Sequence, residues 1–330
     1  MASRMRPAVF RAHAGNGDAP GRGAGLLVLG DPQGADVERA LVTSRPSIPR
    51  TQDRLERDHE ERAMSDQLYE ALAGQAPTAL AQDVSLATPV AASRIVGRDA
   101  VSAALGTYRQ ALAAPEATAG LKGDEVEGVV YSASPGGRET EIVALARNDS
   151  AGLVATIDVY GRPWPSMAAL REVIAKTDPA LADPGLGAGP YAPEGPTPDW
   201  VDHPAVPPLA QDVTLYSPIL SEEPTGKAVV GPVLEAAAKS FSDLKVRAVL
   251  DIEGEPGFAV VIDEYVDGHV QQLVEMFTLN DAGEVGGIRI FTRPWLVTAH
   301  FRKNMYALLK ETLGPEFWEG PDPQGPLPTP

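Results

Sequence analysis

The chain of 330 residues contains no cysteine. That excludes disulfides, thiolate metal sites and a cysteine nucleophile together, and it fits a reducing, cytoplasmic setting. Histidine is scarce. His13, His59, His203, His269 and His300 show no metal-ligand spacing, so neither a metal nor a cofactor is expected. Positive charge is outnumbered, with 28 Lys and Arg against 45 Asp and Glu, a formal net charge of -17. Such a surface repels phosphate backbones and anionic lipid, which argues against nucleic-acid and membrane partners. No run approaches the ~20 apolar residues that span a bilayer. Leu26-Leu27-Val28-Leu29 is too short for a signal-peptide core. The glycine-rich run from Gly15 to Gly25 follows no strand and lacks the Lys-Ser/Thr of a phosphate loop.

What is present is a hydrophobic fraction of 43%, enough for folded cores, on a chain long enough for two domains. Residues 1–63 stand apart. They hold arginine but no lysine, and they read as a disordered extension, either an upstream addition before a start at Met64 or a genuine tail. Ser65, followed by Leu68, Tyr69 and Leu72, reads as a helix start.

Two segments then run in parallel. Leu80–Val90 reads LAQDVSLATPV and Leu209–Ile219 reads LAQDVTLYSPI, an offset of 129. Val96-Gly97 matches Val230-Gly231, and Arg162-Pro163-Trp164 matches Arg293-Pro294-Trp295, 131 residues on. Ordered matches over this length indicate a duplicated domain rather than a short solenoid repeat. The expected units are 64–182 and 209–318, with a Pro/Gly-rich linker at 183–208 and a disordered tail at 319–330.

The second segment shows the element order best. A strand at DVTLYSP precedes a helix at GPVLEAAAKSF, with Pro232 in its first turn. Four strands follow, with turns at Asp267-Gly268 and at Asn280 to Gly283. A last helix carries apolar positions Val297, Phe301, Met305, Leu308, Leu309 and Leu313, and Gly314-Pro315 stops it. This is α+β: curved antiparallel sheets with helices packed on one side. Pro163 and Pro294 cannot donate a ladder hydrogen bond, so each closing strand ends there. Arg162, Pro163, Trp164 and Arg293, Pro294, Trp295 thus read as structural hinges, the Trp rings pinning helix to sheet and each Arg meeting a carboxylate or a helix end.

On these features, DVxLxxP at the first strand, VVGPVLEAAAKSF at the helix and the closing hairpin that ends in RPW, each segment resembles the SnoaL-like branch of the nuclear transport factor 2-like superfamily. The resemblance covers Met64–Ala182 and Leu209–Trp318. It implies two tandem cones, each a bent sheet whose concave face and helices enclose an apolar pocket. Members of the family often dimerise through the sheet, so the two copies are expected to pair within one chain, or between chains as a homodimer. The fold serves isomerases, cyclases, epoxide hydrolases and plain binding domains, so function has to come from the site.

Glu275 is the sharpest candidate: an acid inside the apolar strand LVEMFTL. Burial without a partner raises a carboxyl pKa toward neutrality, as general acid–base work requires. The resemblance places Glu275 where steroid isomerases hold a protonated acid against the substrate oxygen. By alternation Leu273 and Phe277 share its face, and Ile288, Ile290 and Thr292 of the closing hairpin line the same pocket, with Tyr216 as an auxiliary donor. The family's carboxylate base before the first-strand proline is absent. Ser217 and Thr88 stand there instead. In the first segment the counterpart of Glu275 is Val143 or Ala144. Asp251, Glu253, Asp263 and Glu264 read as a solvated face. The leading expectation is a soluble protein that binds an apolar or polycyclic small molecule. The alternatives are a cyclase, isomerase or epoxide hydrolase using Glu275, and an interaction module that pairs through sheet faces.

Overall fold

The computed structural model describes residues 80–182, 191–193 and 199–320. The extension at 1–63, the helix start at Ser65 and most of the tail lie outside the described residues.

Among the described residues, eleven strands and four α-helices follow one another in a repeated order. The first half has β1 (Leu80–Ala87), β2 (Ile95–Val96), α1 (Arg98–Leu112), β3 (Glu116–Lys122), β4 (Glu127–Ala133), β5 (Thr140–Asn148), β6 (Val154–Arg162) and α2 (Trp164–Thr177). The second has β7 (Leu209–Tyr216), α3 (Lys227–Ser240), β8 (Ser242–Ile252), β9 (Gly257–Val266), β10 (His269–Leu279), β11 (Val285–Arg293) and α4 (Trp295–Leu309). This is the expected α+β class.

Local chemistry sets the boundaries. Asp267-Gly268 has positive φ at both residues (50° and 83°), the conformation a two-residue hairpin turn needs. Asn280 closes the next hairpin by accepting from the amides of Ala282 and Glu284. Asp149 does the same for Ala151 and Leu153 between β5 and β6. Helix α1 buries Val101, Ala104, Leu105, Tyr108 and Leu112, a stripe of helical period.

Two expectations about helices change. Helix α3 begins a turn early, so Pro232 lies in its interior. The lost hydrogen bond is tolerated because both Pro232 and Ala228, whose carbonyl it leaves free, are exposed to water. Gly97 and Gly226 hold the same place ahead of α1 and α3, with φ of 100° and 87°. Their amides donate to Val84 and Val213 in the same way. The match is therefore Gly97 with Gly226, at the offset of 129, and not with Gly231. In α4, Leu308 is 50% exposed rather than core.

All the strands belong to one sheet, in the order β2-β1-β6-β5-β4-β3-β8-β9-β10-β11-β7. Leu121 pairs with Ile252 where β3 meets β8, and Thr292 pairs with Gly161 where β11 meets β6. The two bent sheets thus join edge to edge, and the strands from β6 round to β11 close a ring. Much of its interior is apolar. Val130, Val143 and Tyr160 of the first half meet Val261, Val274 and Phe291 of the second. Alternate residues point the other way, into two separate cores beneath the helices.

Candidate functional site

Strand alternation gives each half a concave inner face under its own helices. In the first half, Leu86, Leu105, Leu112, Ile142, Ala144 and Val159 wall a cavity of about 240 Å³. Its polar atoms are few: the hydroxyls of Thr88, Tyr108 and Tyr131, with Arg109 at the edge. Thr88 Oγ1 is held by the amide of Ala91 at 3.2 Å. The Tyr108 hydroxyl lies beside it, buried, without a well-formed hydrogen bond. Burial pushes the Tyr108 phenol far above its ordinary value, so it stays protonated and is a donor. Ala113 and Ala114, at φ of 55° and 62°, turn the chain past the mouth.

In the second half, Glu275 lies opposite Ile290 in the β10–β11 register. Leu273, Phe277 and Ile288 are buried core on that face, and Ile290 packs against them. Thr292 accepts a hydrogen bond from Thr298 at 3.0 Å. By strand alternation Leu273, Glu275, Phe277, Ile288, Ile290 and Thr292 share one face. Burial alone raises the Glu275 carboxyl to about 7. The structure adds Glu264, which alternation in β9 puts on the same face as Val260, Ile262 and Val266. It is 4% exposed, and burial, then the nearby Glu275 carboxylate, raises its pKa well above the ordinary value. Reading Asp263 and Glu264 as a solvated face is therefore corrected. Asp263 is equally buried, on the other face, and takes both Arg247 nitrogens at 2.6 Å and the Gln272 amide at 3.0 Å. A carboxylate enters such an interior only if it is paired or protonated. Asp263 is paired, whereas Glu264 and Glu275 make no hydrogen bond or ion pair with another described residue. The signal for Glu264 was in the sequence: an acid in step with Val260, Ile262 and Val266.

Two other residues separate. Ser217 lies on the inner face by alternation with Leu215, and its hydroxyl accepts from the Ile219 amide at 3.2 Å. Tyr216 points the opposite way, so its expected role as a donor beside Glu275 is corrected. Its ring is stacked by Arg289 at 4.6 Å and Arg162 at 5.1 Å. Register also decides the counterpart of Glu275. Glu275 faces Ile290, and Ala144 faces Val159. Both pairs differ by 131 in numbering, so the counterpart is Ala144, and Val143 belongs to the apolar cluster inside the ring.

The Arg-Pro-Trp hinges join the halves. Trp164 donates its amide to Pro218 and Trp295 donates its amide to Pro89, each at 2.7 Å. The two rings stack on each other at 5.1 Å, rather than each pinning only its own helix to its own sheet. Both arginines meet carboxylates. Arg162 reaches Glu141 at 2.7 Å and Glu223 at 3.3 Å. Arg293 is fully buried and reaches Gln272 at 2.6 Å and Asp158 at 3.3 Å, and Asp158 also binds Arg94. The rings of His269 and His300 lie tilted to each other, with centroids 5.0 Å apart. Among the described residues no group of three His, Asp or Glu is placed to hold a metal, and no helix is long and apolar enough to cross a membrane.

Neither a protein-family model nor a curated protein matches this chain. Solved structures do. A bacterial protein of cystatin-like fold from Silicibacter pomeroyi is 23% identical over 36% of this chain and 89% of its own, at a TM-score of 0.33. A steroid delta-isomerase from Pseudomonas aeruginosa is 22% identical over 41% of this chain and 97% of its own, at 0.32. An NTF-2 like protein from Burkholderia xenovorans is 20% identical over 32% and 84%, at 0.28. Likenesses this partial assign no activity.

Proposed function

We propose that the protein binds an apolar small molecule in the first-half cavity. The observation that carries this reading is that cavity of about 240 Å³, walled by aliphatic side chains and furnished with two tyrosine hydroxyls and one threonine hydroxyl. It is slightly smaller than the ~300–1,000 Å³ of drug-sized ligand pockets, so a compact ligand of one or two rings suits it better than a large polycycle. The protonated Tyr108 hydroxyl would donate to a ligand oxygen, and the aliphatic wall would supply affinity. We read the two halves as a duplicated domain paired internally, with 183–208 as the linker. The sheet faces are then occupied by each other, which leaves the interaction-module reading the weaker one.

The test is native mass spectrometry of the chain purified from its own host, followed by titration with a fluorescent apolar probe. Retained small-molecule mass in the native protein, and its loss in Ala144→Phe, are expected. An Ala144→Phe protein that binds as before would reject the site. A second reading, acid–base catalysis by Glu275, is favoured by its carboxyl, whose pKa burial raises to about 7. If it holds, Glu275→Gln abolishes turnover of whatever ligand the mass identifies.

A further inference from the structure

The first-half cavity carries more polar chemistry than an apolar ligand requires. Leu105, Tyr108, Arg109 and Leu112 of α1 line it, and the i, i+3, i+4, i+7 spacing puts all four on one stripe of the helix. Leu105, Tyr108 and Leu112 are buried. Arg109 stands in the same stripe but is exposed, at the edge of the cavity. The fold itself does not need this pair of residues. At the offset of 129 that aligns the starts of the two helices, Tyr108 and Arg109 correspond to Ala237 and Ala238 of α3.

The polar side chains around the cavity are of one kind. Tyr108 is 6% exposed, and its hydroxyl has no well-formed hydrogen bond within the protein. Thr88 Oγ1 already accepts from the Ala91 amide, which leaves its own proton to be donated. Arg109 is the one charged side chain among the described residues that line the cavity, and it is a cation in a chain of net charge -17. The acids of this region lie elsewhere. Glu116, Glu139, Glu141 and Glu223 line a neighbouring groove that meets the cavity at Ala114. A wall that offers protons and a positive charge, and no carboxylate, selects acceptors and negative charge in what it binds.

We infer that the ligand of this cavity is a small apolar carboxylic acid, bound as its anion, an inference that rests on the reading of the cavity as a ligand site. The hydrocarbon body lies against the aliphatic wall, and the carboxylate stands at the mouth beside Arg109. This orientation follows from solvation. A carboxylate buried among Leu86, Ile142 and Val159 would lose its water without an opposite charge, whereas at the exposed Arg109 it keeps part of its hydration and gains a cation. Arg109 is then the residue that sets the preference for an acid.

The experiment is calorimetric titration of the full chain with trans-cinnamate and with its uncharged isostere trans-cinnamamide, at about pH 7.5, where the acid is ionised. Cinnamate is expected to bind at least ~5-fold more tightly than the amide, and the preference should shrink as salt is raised. Arg109→Gln, at an exposed position, should bring cinnamate down to the affinity of the amide and leave the amide within about 2-fold of its value. Ala144→Phe should abolish binding of both. Equal affinity for the two, or tighter binding of the amide, overturns the inference. So does a preference that survives Arg109→Gln, or cinnamate binding that survives Ala144→Phe. The comparison on the unaltered chain stands even if a variant misfolds. A fluorescent apolar probe judges the cavity separately. If neither titrant binds while that probe still binds and is lost in Ala144→Phe, the acid is rejected and the site is kept. If the probe fails as well, both readings fall.

Discussion

The same position in the two halves holds Ala144 in one and Glu275 in the other. Each faces the equivalent residue of the closing strand, Val159 or Ile290. With alanine the inner face opens into an apolar cavity whose polar atoms are hydroxyls. With glutamate the face carries an acid whose pKa burial raises. At the offset of 129 that holds from β1 to the start of the helix, Tyr108 of α1 corresponds to Ala237 of α3, so the roof changes along with the floor. One backbone plan thus carries two different interiors, one bearing hydroxyls and one bearing acids. The hinges differ in parallel: Arg293 is sealed in, while Arg162 lines a groove with Glu141 and Glu223.

The hinge contrast gives the largest expected effect. Arg293→Ala removes a fully buried guanidinium from Asp158 and Gln272 and should cost about 3–5 kcal/mol. Arg162→Ala should cost about 1–2 kcal/mol, because Glu223 is half exposed and regains water. Urea unfolding of the two variants checks the order, and equal losses would mean that the hinges are energetically alike. Next comes pH. The native Glu275 keeps its proton to about 7, whereas its ordinary value is 4.5. Between those values the native state binds more protons than the unfolded one, so stability falls as pH rises through this window. The loss expected from Glu275 is about 3 kcal/mol, and Glu264 adds in the same direction. Glu275→Gln should flatten that fall and be the more stable protein above pH 7.

Exchanging the floors sharpens the comparison further. Ala144→Glu should give the first half a titrating acid and cost about 1–3 kcal/mol at neutral pH. The stability difference between pH 5 and pH 8 would then grow, and an unchanged difference would show that the cavity admits enough water to ionise the acid freely. The smallest effect is at the stacked tryptophans. A double-mutant cycle on Trp164→Phe and Trp295→Phe should give a coupling of about 1 kcal/mol, because each ring also packs against its own neighbours. A coupling near zero would separate the two hinges energetically.

Much of this was legible in the residues. Proline ended the closing strands, Asp267-Gly268 and Asn280 made the turns, and period-2 alternation put Leu273, Glu275 and Phe277 on one face. These are local rules, decided within a few residues of chain. Other points were not local. Tyr216 was expected beside Glu275, but β7 ends there and its alternation sends the ring between Arg162 and Arg289. Asp263 and Glu264 are adjacent in sequence and were read together, yet the pleat sends one to an arginine and the other to an apolar interior.

By itself, then, the sequence determined the element order, the doubled Arg-Pro-Trp junctions and an acid in an otherwise apolar strand, because each follows from backbone sterics or side-chain period. Tertiary structure alone decided that the sheets close on one another and that Trp164 meets Trp295. It also decided that the open cavity lies over Ala144 while two carboxyls share the opposite half. Those outcomes depend on side chains about 130 residues apart meeting in space, and on the volume left once they have packed.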